Sequence, residues 1–258
     1  PVPHFRVKPG GRYKEFRIKR PVLLNKFIIH FSREFRVIYH FICVKLLADM
    51  VKVLGYNRYL LKRAMKILDE TTIYPIAYLM KNKQYDYEAL SFDVIPKINA
   101  VSRMEGAMND NHLVRYLCDN TPECHRYLSK IEEINKTRKD LSTQMSALAL
   151  RLAKEDENII TVSSDVFKEG LCGLIANRLM NDLGKPVIVL SETDGLLKGS
   201  GRAPKGGDLH AYLMNVSSLF LSYGGHAQAV GLSMDKNNYA QLKQYIHICN
   251  SVECLWLY

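Results

Sequence analysis

Two short stretches in the back half of the chain hold residues suited to gripping an anion. The first is Tyr223-Gly224-Gly225-His226-Ala227-Gln228-Ala229-Val230-Gly231. Adjacent glycines let the backbone turn with positive φ and expose bare amides, and successive free N–H groups form an anion-binding concavity. The small residues at 227, 229 and 231 leave room for a ligand, and His226 can add a proton donor or a metal ligand. A simpler reading stays open beside it: a Gly-Gly turn, with His226 a satisfied polar residue at a strand start. The second stretch is Lys198-Gly199-Ser200-Gly201-Arg202, where glycines flank a hydroxyl and a cation stands at each end. That composition again suits phosphate.

The elements that must position these stretches form an α/β pattern. Ile159-Ile160-Thr161-Val162-Ser163 reads as a strand, and Leu171 to Leu183 as a helix closed by Gly184 and followed by Pro186. Residues 186–190 give a second strand and the approach to Gly199 a third. Asp208 caps a short helix, Gln228 to Met234 forms another strand, and 236–249 a final helix. Upstream, Ile131, Ile134, Arg138, Leu141, Met145, Leu148 and Leu152 alternate steps of three and four, which predicts one long helix from near Glu123 to Lys154. Phe92 to Ala100 reads as a short strand running into a loop through Gly106. Asn57 reads as the N-cap of a helix reaching Leu68, and residues 22–40 carry another helical apolar stripe. Residues 1–20 lack periodicity and read as loop or extended chain. The predicted class is α/β with a mixed sheet, organised as residues 1–122, a connecting helix over 123–156, and a substrate-binding domain over 157–258.

The 258 residues are 47% hydrophobic and 24% charged, enough material for a packed core. No apolar window is long and uncharged enough for a transmembrane helix, and the cationic N-terminal segment does not suit a signal peptide. These features point to a cytoplasmic protein. The cysteines at 43, 118, 124, 172, 249 and 254 form no C-x-x-C pair and read as reduced thiols rather than zinc ligands. Charge is unevenly placed: residues 1–45 hold eleven Lys/Arg against Glu15 and Glu34, while the rest of the chain is nearly neutral. A basic segment beside a neutral body suits a polyanion such as single-stranded nucleic acid; a solvated basic arm is the alternative.

Five segments, taken in order, resemble RecJ-type single-strand-specific exonucleases of the DHH phosphoesterase superfamily. They are Ala48-Asp49-Met50 with Asn57-Arg58; Ile98-Asn99-Ala100 with Arg103; Asn135 with Arg138-Lys139; Lys198-Gly199-Ser200-Gly201-Arg202; and Gly224-Gly225-His226. The resemblance implies a partial DHH domain over 1–122 followed, after the connecting helix, by a DHHA1-type domain. It implies hydrolysis of a DNA strand from its 5′ end at a two-metal site holding Mn2+ or Mg2+. By the same resemblance Asp49 falls on a metal-binding aspartate. Arg103, Ser200, Arg202, Gly224 and Gly225 fall on substrate phosphate-binding positions, and His226 on a catalytic one. Single-stranded DNA is then the expected partner, with a single-stranded-DNA-binding protein or a missing N-terminal half as further ones.

The departure from that family lies in the metal ligands. Neither an Asp-x-Asp strand nor an Asp-His-His triplet occurs, and no two of the eight histidines are adjacent. One aspartate does not hold two divalent ions at useful affinity. The chain is therefore expected to be inactive by itself as a nuclease; it reads as a truncated or degenerate copy, or as one lacking part of the protein. A non-catalytic single-stranded nucleic-acid-binding module is the alternative reading.

Overall fold

A computed structural model describes residues 41, 44–49, 51–70, 72–81, 85–154 and 157–248. The chain divides into two compact units, Pro1–Thr72 and Ile73–Tyr258. The expectations for residues 1–40 and for the cysteines at 43, 249 and 254 lie outside the described residues. In the first unit, residues 44–48 are helical and α1 spans Gly55–Glu70, burying Leu61 and Ala64 one turn apart on the same face. Asn57 lies inside this helix rather than capping it, and its side-chain amide donates to the Lys52 carbonyl at 3.1 Å.

The second unit opens with helices. After α2 (Tyr74–Leu79), a turn at Tyr87–Ala89 is capped by the Asp86 carboxylate, which accepts from Ala89 N at 2.6 Å. A π-helical segment, Leu90–Val94, runs straight into α3 (Ile95–Arg103). The strand expected over 92–100 is thus helical. Leu90, Val94, Ile95 and Val101 are all buried, and the spacing of 90, 94 and 101 is that of a helix face. Pro96 stands in the first turn of α3, where its missing N–H is not needed. The valine and isoleucines that suggested a strand are here core contacts of a helix, so packing overrides propensity.

Helix α4 (Asp110–Cys118) and a 3-10 segment (Pro122–Tyr127) lead into α5 (Leu128–Leu152). The long helix thus forms, with its first turn as 3-10. Of its stripe, Ile131, Ile134 and Met145 are buried, whereas Leu152 is exposed.

The rest of the unit is a five-stranded mixed sheet in the order β1-β2-β3-β5-β4, with β1 Ile160–Ser164, β2 Val187–Thr193, β3 Leu196–Arg202, β4 Phe220–His226 and β5 Ala229–Asp235. Only β1 and β2 run parallel. Their connection is α6 (Glu169–Leu183), closed by Gly184 at φ 66°. Asp194 and Gly195, both at positive φ, make the tight β2–β3 turn. Helices α7 (Leu209–Met214, capped by Asp208) and α8 (Tyr239–Ile248) cover one face. There Leu209, Leu213, Leu242 and Ile246 pack on Ile188, Leu190, Leu197, Val230 and Leu232. The other face of β2 and β3 takes α6; α5 packs on α6, and α3 packs on α5.

Both phosphate-friendly stretches lie in strands instead of loops: residues 198–202 belong to β3, and Gly224-Gly225-His226 ends β4. The physical reason is close approach. A Cβ at Gly225, which sits at φ 143°, would run into the Ala229 carbonyl of the neighbouring strand. The glycine there serves backbone pairing in a hairpin, not a free amide turn.

Candidate phosphate-binding site

Three arginines from three elements of the second unit come together. Arg103 ends α3, Arg138 stands midway along α5, and Arg202 ends β3. All three guanidinium pKa values are lowered, in each case chiefly by burial. The charge of Arg103 lowers those of Arg138 and Arg202 further. Arg138 Nη2 donates to Asn135 Oδ1 at 2.5 Å, while its Nε is buried and finds no acceptor among the described residues. Arg202 Nη1 donates to the Gly201 carbonyl at 2.7 Å. Among the described residues no carboxylate forms an ion pair with any of the three, although Lys198, nearby on β3, pairs with Glu169 at 3.7 Å. Desolvated like charges held together without a counter-ion favour a bound anion.

The sheet register extends this cluster into a trough. Arg202 pairs with Ala229, and Ala229 with His226, so these three residues lie in one line across β3, β5 and β4. Ser200, Gly231 and Gly224 form the next line. Directly paired residues share a face of a sheet, and strands stand about 4.8 Å apart, so Arg202 and His226 face the same side with Cα atoms about 10 Å apart. Between them the floor is Ala229, Gly231 and Gly224. A Cβ at either glycine would meet nothing within 4 Å, so the space above this floor is open. Ser200 Oγ and Arg202 wall the β3 side, against α6. A cleft of about 490 Å³ beside the cluster is lined by Arg103, Lys168, Glu169 and Lys198, among others.

The expected site residues divide accordingly. Arg103, Arg202 and Ser200 lie together in the second unit, with Gly224 and His226 across the trough; Gly225 instead serves the β4–β5 pairing. Asp49 belongs to the first unit, where its carboxylate pairs with Lys45 at 3.0 Å. A two-metal centre needs several converging acid or imidazole donors. Among the described residues no three His, Cys, Asp or Glu side chains converge in that way. The described donors around Asp49 do not by themselves make such a centre. From sequence Arg138 carries part of the resemblance but no site role, and Gly173 is not singled out. Arg138 occupies a position in the apolar stripe of α5, and a charge in that register was the signal that it has a partner of its own. Gly173 sits against Arg202, and its position inside a predicted helix, near its start, was the corresponding signal.

Comparison with known proteins follows the same lines. Residues 156–250 match the DHHA1 domain family. The single-stranded-DNA-specific exonuclease RecJ of Salmonella typhimurium is 30% identical over 167 residues, covering 60% of this chain and 29% of that protein. The RecJ of Bacillus subtilis is 26% identical over 211 residues, 78% of this chain and 27% of that protein. The chain thus spans under a third of the length of these relatives. The crystal structure of Thermus thermophilus RecJ in complex with Mg2+ superposes with a TM-score of 0.73 at 22% identity, over 83% of this chain and 34% of that one; its Mn2+ complex gives 0.72. Among the described residues no helix is long and apolar enough to cross a membrane. The DHHA1 match over residues 156–250, the relatives and the shared fold agree in making the chain similar to RecJ-type proteins with DHH and DHHA1 domains.

Proposed function

We propose that this chain binds single-stranded DNA through its backbone phosphates, with the second unit supplying the grip and residues 157–258 acting as the substrate-binding domain. The observation that carries this reading is the cluster of Arg103, Arg138 and Arg202, three partly desolvated guanidiniums without a carboxylate partner among the described residues. A guanidinium presents a planar fork that matches two phosphate oxygens, and Ser200 adds a hydroxyl donor beside it. The glycine floor lets a sugar–phosphate backbone lie close to the sheet, and His226 faces it from the β4 side.

Phosphodiester hydrolysis of the RecJ kind, from the 5′ end with Mn2+ or Mg2+, would need metal ligands beyond those described. We read the chain as contributing substrate binding to that reaction in the cytoplasm, completed by an N-terminal half that carries the metal ligands. The test is binding of a fluorescent, 5′-phosphorylated oligothymidylate in EDTA. Affinity should fall with salt at a slope of about −0.7 for each phosphate engaged. Arg103→Ala, Arg138→Ala and Arg202→Ala should each weaken binding about tenfold or more, the loss expected for one charge-assisted hydrogen bond. Unchanged affinity in all three would overturn the reading. With Mn2+ added, no strand cleavage is expected; cleavage that disappears in Asp49→Ala would show that the chain is itself a nuclease.

A further inference from the structure

Helix α6 carries a glycine where a helix gains nothing from one. Gly173 lies in its second turn, between Leu171 and Cys172 on one side and Ile175 and Ala176 on the other, all four buried. Glycine in such a position loses more backbone freedom on folding than alanine would. The position is half-buried and faces the arginine cluster. A Cβ there would stand 2.8 Å from Arg202 Nη2 and 3.4 Å from Ser200 Oγ. The first separation is well inside contact, and the atom met is the far end of a flexible side chain. A methyl group would therefore displace the guanidinium and leave the backbone of α6 in place. Arg202 has little freedom elsewhere, since its Nη1 is held on the Gly201 carbonyl and the charge of Arg103 bears on it.

We propose that Gly173 is a positioning residue for phosphate recognition: its missing side chain is the slot in which Arg202 lies beside Ser200. The inference rests on the phosphate-binding reading above and adds to it a residue that touches no ligand. A glycine kept only for packing would, when replaced, lower stability and leave the binding chemistry alone. A positioning glycine does the reverse.

The experiment uses the full chain and the same phosphorylated oligothymidylate in EDTA, with Gly173→Ala, Arg202→Ala and the double variant. Thermal melting is followed alongside anisotropy titrations at several salt concentrations. Gly173→Ala should melt at the parent temperature or higher, bind about tenfold more weakly, and lose about 0.7 from the salt slope, the share of one phosphate contact. Added to Arg202→Ala it should change nothing further, because the arm it positions is already gone. Parent-like binding by Gly173→Ala beside weak binding by Arg202→Ala would overturn the positioning role and leave the phosphate site standing. So would additive losses in the double variant, or a melting temperature several degrees below the parent. Parent-like binding by Arg202→Ala would remove the site itself and the inference with it.

Discussion

Arginine stays protonated at any pH at which a protein folds, so lowered guanidinium pKa values are felt as destabilisation instead of as titration. Arg138 illustrates this: its Nε is buried without an acceptor among the described residues, and Arg103 repels it. Arg138→Met keeps most of the volume and removes the charge. The variant should melt at or above the parent temperature in a buffer free of multivalent anions. The parent should in turn gain more from added inorganic phosphate, because a ligand that binds only the folded state stabilises it in proportion to the logarithm of its saturation. A variant that loses stability, or that responds to phosphate as the parent does, would place Arg138 outside the site. Sequence already picks this residue out, in the resemblance and as a charge where the apolar repeat of α5 calls for a hydrophobe, but gives it no role. The meaning of that interruption needed the neighbours supplied by α3 and β3.

Among elements, the junction of α3 with α6 sets where the arms stand. A Cβ at Gly170 would collide with the backbone carbonyl of Arg103, at the end of α3. Backbone atoms do not swing aside as a guanidinium does. Gly170→Ala should therefore push the two helices apart and cost about 1–3 kcal/mol of stability, the usual range for overpacking. Urea denaturation would measure it, and a loss below a few tenths would show that the junction yields easily. One turn along the same helix, Gly173→Ala is expected to leave stability intact, so the pair separates fold from grip. Element types were largely readable from periodicity: α5, α6 and the strands at 160–164, 187–193 and 229–235 follow the expected pattern within a few residues. The failure at Phe92 to Ala100 came from a run of branched apolar residues short enough to fit either period. Only burial on a helical face decided between them.

Taken whole, the second unit keeps several protons that an unfolded chain would release early. Burial pushes the Cys172 thiol up to about 12, the Cys124 thiol to about 11 and the Tyr223 hydroxyl to about 12; negative neighbours add to all three, and Tyr223 donates to the His210 carbonyl. A folded-state pKa above the unfolded value means stability is fully present below about pH 8, where unfolded thiols stay protonated. It is then lost as pH rises toward 12. Urea midpoints from pH 8 to 11 should fall steadily, and Cys172→Ala should flatten that fall; a flat profile in the parent would contradict the assignment. By itself the amino-acid order determined the α/β succession, the residue types fit for phosphate and the absence of the family's metal-ligand motifs, because these depend on local spacing and composition. Tertiary structure alone decided that the glycine-rich stretches are strands, that Arg138 joins Arg103 and Arg202, and that Gly173 makes room for one of them. Those facts depend on register and on contacts between residues tens of positions apart, which no local pattern records.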